Sequence, residues 1–430
     1  MTNTLKCISP IDGSVYLERP VLSLDAARDV CARAKTAQSA WAARPLAERV
    51  QLVRDAIVEV GKTTDRMAQE LAHQMGRPVR YGGEFNGFAE RGNYMADIAE
   101  KALAPTIVED SDKATRKITR EARGVVLVVA PWNYPYMTAI NTVAPALIAG
   151  NTVVLKHATQ TLQVGERLAE AFHAAGIPDD VFQNVFLDHD TPSALIAERQ
   201  FGFVNFTGSV GGGKAMEVAA AGTFTPVATE LGGKDPGYVR ADADVDAAVD
   251  GLMDGAMFNA GQCCCGIERI YVHEDVYDAF ISINAEVRAQ IAEAVAAGAT
   301  ALIDTFEADD GGAYLTPQIL TNVTHDMRVM RDESFGPVVG IMPVKDDAEA
   351  IALMNDCQFG LTAAIFTKDA DAADAIGAQL ETGTVFMNRC DYLDPALCWT
   401  GCKDTGQGAG LSELGYQALT RPKSYHLKKA

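Results

Sequence analysis

The chain has 430 residues, too many for one ordinary hydrophobic core, so two domains are expected. With 48% hydrophobic and 22% charged residues it has the balance of a globular protein, and a formal net charge of -20 sets nucleic acid and anionic membrane surfaces aside as main partners. No apolar run reaches the length of a membrane span, and residues 1–10 lack the apolar stretch of a signal peptide.

Residues 22–103 read as mostly helical. From Pro45 the run LAERVQLVRDAIVEVGKTTDRMAQELAHQMG reads as one helix, with proline near its start and Gly76 beyond its end. Short β-branched runs follow at Val125–Ala130, Thr152–Lys156, Val181–Leu187 and Phe203–Thr207. Between them lie helical stretches such as Thr161–Ala175, where Leu162, Val164, Leu168 and Phe172 share a face. This alternation implies βαβ units and a parallel sheet, whose ligands sit beyond the carboxyl ends of the strands. A second α/β region runs from about Gly233 to Gly410, with strands at Ile270–Val272 and Val338–Pro343 and helices near 246–260 and 347–356. Within it Val276, Phe280, Ile283, Val287, Ile291 and Val295 recur at helical steps before Gly298. That spacing predicts one unbroken helix from about Val276 to Ala297, with this region locally rearranged or the strand near Thr300–Asp304 displaced or lost.

The chemistry-bearing residues cluster after the strands. The first run enters Pro131-Trp132-Asn133-Tyr134-Pro135, a loop stiffened by two prolines in which a rigid Asn amide is a ready oxyanion donor; a plain proline-rich turn is the alternative. Lys156 leaves the second strand, where it can reach ribose or phosphate oxygens or simply sit in solvent. Phe206 to Lys214 is glycine-rich, follows a strand and opens a helix, the setting for cradling a pyrophosphate. Gly406 to Gly410 follows no strand and reads as a flexible turn. Glu230, at the end of an apolar strand, is a candidate base with a raised pKa, or half of a surface pair with Lys234. Cys263, Cys264 and Cys265 follow Gly261-Gln262. Adjacent cysteines do not readily bridge one another, so the nine cysteines suggest a reducing cytoplasm rather than a disulfide framework. No metal is expected, because consecutive cysteines cannot readily surround a tetrahedral ion and no CxxC or HExxH supports them.

Taken together and in order, Pro131–Pro135, Lys156, Phe206–Lys214, Glu230–Lys234, Gly261–Cys265, Glu333-Ser334-Phe335-Gly336-Pro337 and Thr400-Gly401-Cys402-Lys403 resemble the aldehyde dehydrogenase superfamily over nearly the whole chain. The resemblance implies an α/β fold: a Rossmann-like cofactor domain at 1–232, with 104–122 as part of a small oligomerisation arm, a catalytic domain at 233–412, and a C-terminal oligomerisation segment at 413–430 that pairs across subunits. It implies a homodimer or homotetramer and a small aldehyde as substrate. Cys264 would be the nucleophile and Glu230 the general base, with Asn133 and the Cys264 N–H as the oxyanion hole. NAD or NADP would be held by Trp132, Lys156, Thr159, Gly208, Ser209, Gly213, Leu231, Glu333 and Phe335. Tyr134, Thr138, Asn141, Leu393 and Trp399 match tunnel positions, with no arginine among them to favour a carboxylate-bearing substrate.

Two departures stand out. Where many NAD-preferring members carry a Glu three residues after the strand-end Lys, this chain has Thr159, which leaves room for a 2′-phosphate. The chain is also some tens of residues short between the helix near 275–290 and Tyr314. A non-catalytic descendant, disabled by that shortening, is the alternative reading. An acylating dehydrogenase is disfavoured because such enzymes typically lack the base that Glu230 supplies.

Overall fold

Six consecutive buried residues, Val125–Ala130, form the central strand of a five-stranded parallel sheet, as an apolar run covered on both faces requires. This computed structural model describes residues 4–282 and 315–429. Call Val125–Ala130 β1, Thr152–His157 β2, Phe182–Asn184 β3, Phe203–Thr207 β4 and Val227–Glu230 β5; their spatial order is β3-β2-β1-β4-β5. The order reverses between β1 and β4, so the loops leaving those two strands flank the crevice where such sheets bind ligands.

A second parallel sheet contains Asp235–Val239 (β6), Ile267–His273 (β7), Gln318–Leu320 (β8), Val338–Val344 (β9), Thr362–Phe366 (β10) and Thr384–Met387 (β11), in the order β8-β9-β7-β6-β10-β11. One face packs Ile270, Val272 and Ile341 against the helix Val245–Met257 and Phe280. The other packs Tyr238, Tyr271 and Ile365 against Met354 and Ile376. Each sheet is thus a filled layer between helices.

The chain divides into two compact units, Met1–Glu230 with Leu393–Thr400 and Gln407–Ala430, and Leu231–Tyr392 with Gly401–Gly406. The division falls two residues before the expected boundary at 232. Residues 393–400 and 407–412, expected with the second domain, belong to the first unit because the chain returns there: the Gln407 carbonyl accepts the Thr229 N–H of β5 at 2.8 Å, and the Gln407 N–H donates to the Thr229 hydroxyl at 2.9 Å. The Gly406–Gly410 stretch, expected as a flexible turn, is therefore tied to a strand.

The helix expected after Pro45 is two helices, Leu46–Gly61 and Thr64–Met75. The N–H groups of Lys62 and Thr63 reach back only three residues, tightening the turn, and the Thr63 hydroxyl donates to the Val60 carbonyl. Gly61 lies against Phe85, where a Cβ would stand 2.7 Å from the ring. Gly76 ends the second helix in a left-handed conformation (φ 78°).

The expected arm is an antiparallel sheet of Thr106–Asp110, Ala114–Ala122 and the C-terminal strand Thr420–Lys428. That last strand is the edge of the sheet and is laddered to its own chain from Thr420↔Ala122 to Lys428↔Ala114. Lys423 and Glu121 add an ion pair at 2.8 Å.

Residues 274–282 are helical. The remainder of the helix expected to reach Ala297, and the strand near Thr300–Asp304, lie outside the described residues. Among the described residues no helix is long and apolar enough to cross a membrane.

Candidate active site

In the first unit, the ends of β1, β2, β4 and β5 carry most of the expected residues. β1 runs into the 131–135 loop, where Asn133 is buried and Trp132 and Tyr134 are half-buried. Tyr134, Thr138 and Asn141 fall on one face of the helix Pro135–Ile148 and its leading turn, by their four- and three-residue spacing. Lys156 is buried at the end of β2; burial lowers its pKa and the charge of Asp188 opposes that shift. Thr159 opens a short 3₁₀ turn, Thr159–Thr161, beyond that strand.

β4 ends at Thr207, and after Gly208 and Ser209 the helix Val210–Ala220 begins. Ser209 caps it, its hydroxyl accepting the Gly212 N–H at 3.2 Å. Gly208 and Gly212 lie on the Phe206 ring, where a Cβ would stand 2.9 and 2.4 Å away, and Gly213 is buried. A glycine-lined helix N-terminus at a strand end offers backbone N–H groups and a partial positive charge to a phosphate.

Glu230 closes β5. Burial pushes its carboxyl up to about 7, against the opposing charge of Arg91 and the Thr207 hydroxyl. That hydroxyl lies 3.5 Å from Oε2, and a Cβ on Gly410 would stand 3.1 Å from Oε1. Gly410 and Trp399 exchange backbone bonds of 2.8 and 2.9 Å, so the returning segment that holds Leu393 and Trp399 is fastened beside Glu230. Cys398 in that segment has its thiol raised by burial and by the Glu230 charge.

In the second unit, three motifs converge on Cys264. Asn259, Ala260 and Gly261 are all left-handed, at φ 52°, 57° and 69°, a conformation rarely adopted by residues other than glycine. The side chains of Asn259 and Gln262 bond each other's backbone carbonyls at 3.2 and 3.1 Å, fixing the turn. Cys263 and Cys265 are buried and donate to Asp391 Oδ1 at 3.1 and 3.0 Å, while Cys264 is partly exposed. The flanking Cys263 and Cys265 sulfurs hold the Cys264 thiol below the ordinary range, and Cys263 is raised in turn. The three sulfurs lie within 4.8 Å of one another.

Lys234 is not half of a surface pair with Glu230. It is buried and bonded to Glu268 Oε2 at 2.7 Å and to Ser334 Oγ at 3.0 Å. Glu268 also accepts the N–H groups of Ser334 (2.7 Å) and Phe335 (2.8 Å). Glu333 in turn accepts the Gly233 N–H at 3.0 Å, and burial raises its pKa. Leu231 is buried and its N–H donates to Thr405 O at 2.9 Å. Sequence reasoning missed Glu268 and Asp391. For Glu268 a signal was present: the Glu-Arg pair inside the apolar run Ile267–Val272 has to be buried and partnered.

Comparison with known proteins supplies the family. The family profile described as the aldehyde dehydrogenase family matches residues 1–287 and 282–425, two pieces that meet where the chain reads as shortened. A succinate-semialdehyde dehydrogenase [NADP(+)] of Deinococcus radiodurans is 31% identical over 446 residues, covering 97% of this chain and 93% of that protein. The succinate semialdehyde dehydrogenase [NAD(P)+] Sad of Escherichia coli is 30% identical over 439 residues, covering 95% and 94%. The NADP-dependent glyceraldehyde-3-phosphate dehydrogenase of Bacillus halodurans, solved with NADP, superposes with a TM-score of 0.89 at 31% identity, covering 100% of this chain and 96% of that one. With its parallel sheets, its strand-end motifs and matches that run nearly end to end, this chain belongs to the aldehyde dehydrogenase family.

Proposed function

We propose that this protein oxidises an aldehyde to the carboxylic acid with NAD or NADP, through a thioester on Cys264 that water hydrolyses. The observation that carries this reading is the placement of two groups: Cys264 is the partly exposed member of three cysteines whose other two are buried, and Glu230 closes an apolar strand beside the Thr207 hydroxyl and Gly410; the flanking thiols lower the Cys264 thiol and burial raises the Glu230 carboxyl. One is suited to attack as thiolate, the other to take a proton near neutral pH. The residues present fit a dinucleotide: the Gly208–Gly213 helix start suits a pyrophosphate, and Lys156 and Glu333 are polar groups suited to ribose hydroxyls.

The roles follow. The Cys264 thiolate adds to the aldehyde carbonyl, and the Asn133 amide with the Cys264 N–H stabilises the oxyanion. When bound, the nicotinamide supplies the hydride acceptor, which Phe335 would pack beside. Trp132 and Ser209 would contact the pyrophosphate, and Leu231 would lie along the bound cofactor. Glu230 then deprotonates a water, which attacks the thioester; the acid leaves and Cys264 returns as thiolate. Tyr134, Thr138, Asn141, Leu393 and Trp399 line the approach of the aldehyde. The working form is a homodimer or homotetramer in the cytoplasm.

The test is turnover of propanal, succinate semialdehyde and glyceraldehyde 3-phosphate with each cofactor. Formation of reduced cofactor with at least one is expected, dependent on Cys264. A folded protein inert with all of them would overturn the reading.

A further inference from the structure

We propose that the buried Arg77–Glu84 ion pair is the device that holds Asn133 in place, so that Arg77 and Glu84 are positioning residues for the oxyanion donor. The inference rests on the reading of Asn133 given above. Neither residue belongs to the motifs that identify the family in this sequence, and all the contacts lie within the first unit.

The two side chains are 3% and 0% exposed and meet at 2.9 Å, Nη1 to Oε1. The other terminal nitrogen of Arg77 donates to the Asn133 carbonyl at 2.7 Å. The guanidinium also stacks 4.8 Å above the Tyr134 ring. Glu84 works from the opposite side: its Oε2 accepts the N–H groups of Tyr136 (3.0 Å) and Met137 (2.8 Å). Those are the first N–H groups that the helix Pro135–Ile148 has to offer, because Pro135 has none and Tyr134 provides no side-chain cap. Glu84, the residue immediately before the helix Phe85–Leu103, thus caps a different helix, and its negative charge suits that terminus. The pair grips the backbone on both sides of Pro135, at 133 and at 136–137.

Stability alone does not account for this arrangement. A serine at the cap position would satisfy the same donors without burying two charges, and a buried ion pair is a poor stabiliser once desolvation is counted. What the pair supplies is geometry. A planar guanidinium held by charge against Glu84 and hydrogen-bonded through its other arm to the Asn133 carbonyl fixes the backbone from which the amide projects. An oxyanion donor works only when it is already aimed.

Arg77→Lys tests this. Lysine keeps the charge beside Glu84 and loses the second arm and the stack. The assay uses whichever of propanal, succinate semialdehyde and glyceraldehyde 3-phosphate is turned over fastest. Expected are a kcat about 10- to 100-fold lower, the loss typical of a slightly misplaced group, with the KM for cofactor unchanged. Asn133→Ala should itself cost roughly 10²–10³-fold, and in that background Arg77→Lys should cost nothing further. Glu84→Gln, which keeps an acceptor for the two N–H groups but releases Arg77, should follow the same pattern at smaller amplitude and carries the test if Arg77→Lys does not fold. An equal loss in both backgrounds, or none in either, would overturn the inference. If Asn133→Ala is impaired while both positioning variants are normal, the inference falls and the reading of Asn133 stands; if Asn133→Ala turns over normally, both fall.

Discussion

Gly233 lies so close to the carbonyl oxygen of Cys264 that a Cβ built on it would stand 2.2 Å away. Gly261 has the same relation to the Gly336 carbonyl, also at 2.2 Å, and is left-handed besides. A Cβ on Gly232 would meet instead the Glu333 carboxylate at 2.4 Å. Three motifs far apart in the chain therefore interlock through backbone contacts that only glycine permits.

Gly233→Ala should consequently act on the nucleophile. The obstacle is backbone, which cannot swing aside, so the turn carrying Cys264 has to move. A loss of about 1–3 kcal/mol in stability is expected from the overpacking, with turnover down about 10²-fold. Gly232→Ala meets the end of a side chain instead. It should raise the cofactor KM with a smaller effect on kcat. Thermal melts and steady-state kinetics on the two variants check this; equal effects on kcat would contradict it.

The three cysteines should separate by reactivity. Cys264 is held down to about 5, while Cys263 is pushed up to about 12 and Cys265 well above the ordinary thiol. Brief iodoacetamide treatment at pH 6 should therefore alkylate Cys264 first, as peptide mass spectrometry will read. Cys264→Ala should abolish dehydrogenase activity in a folded protein, whereas Cys263→Ala and Cys265→Ala should keep substantial turnover. Equal loss from all three changes would sink the assignment of the nucleophile.

The strands were legible because burial on both faces leaves unbroken apolar runs, and the family was legible because seven motifs stand in order, where one glycine-rich turn or one cysteine alone would have had several readings. Three things were not. Apolar periodicity continues in phase across Lys62 and Thr63, so nothing local announces the break that Gly61 makes against Phe85. The ladder of the C-terminal strand with Ala114–Ala122 joins segments far apart in the chain, so no local pattern announces it. The partners of the site residues, Asp391 for the cysteines and Glu268 for Lys234, are distant in sequence, and only the folded sheet brings them together.

Cofactor preference should be relaxed. On the proposed reading, Thr159 stands where many NAD-preferring members of the family carry a Glu, so no carboxylate is there to repel a 2′-phosphate. NADP should be used within about one or two orders of magnitude of NAD in kcat/KM, and Thr159→Glu should shift the preference towards NAD. A wild-type enzyme inert with NADP would refute this.

The Lys234–Glu268 pair should show the asymmetry of buried charges. Both side chains are almost fully buried, at 0% and 4% exposure. Glu268→Leu leaves the ammonium unpaired and frees the N–H groups of Ser334 and Phe335, so a loss of roughly 3–5 kcal/mol is expected in denaturant titrations. Adding Lys234→Met removes the stranded charge and should recover part of that loss. A double variant less stable than the single by the full cost of Lys234→Met alone would contradict the pairing.

Glu230 should set the acid limb of turnover. Its carboxyl is raised to about 7 because burial penalises the charged form, with Arg91 and the Thr207 hydroxyl only partly offsetting that. A general base acts when deprotonated, so kcat should fall as pH drops through about 7 and level off above it, provided deacylation limits the rate. Glu230→Gln should remove that limb and slow the steady state by about 10²-fold or more, within the range for removing a general base. Hydride transfer precedes the step that needs Glu230, so rapid mixing of Glu230→Gln with aldehyde and cofactor should still give a burst of reduced cofactor of about one equivalent per Cys264. Loss of the burst together with turnover would move Glu230 to an earlier step, and normal turnover would place the base elsewhere. Arg91→Lys offers a check on the cause: it keeps a positive charge but shifts its position, so the acid limb should move by a fraction of a unit, upward if the charge recedes from Glu230, without loss of the burst.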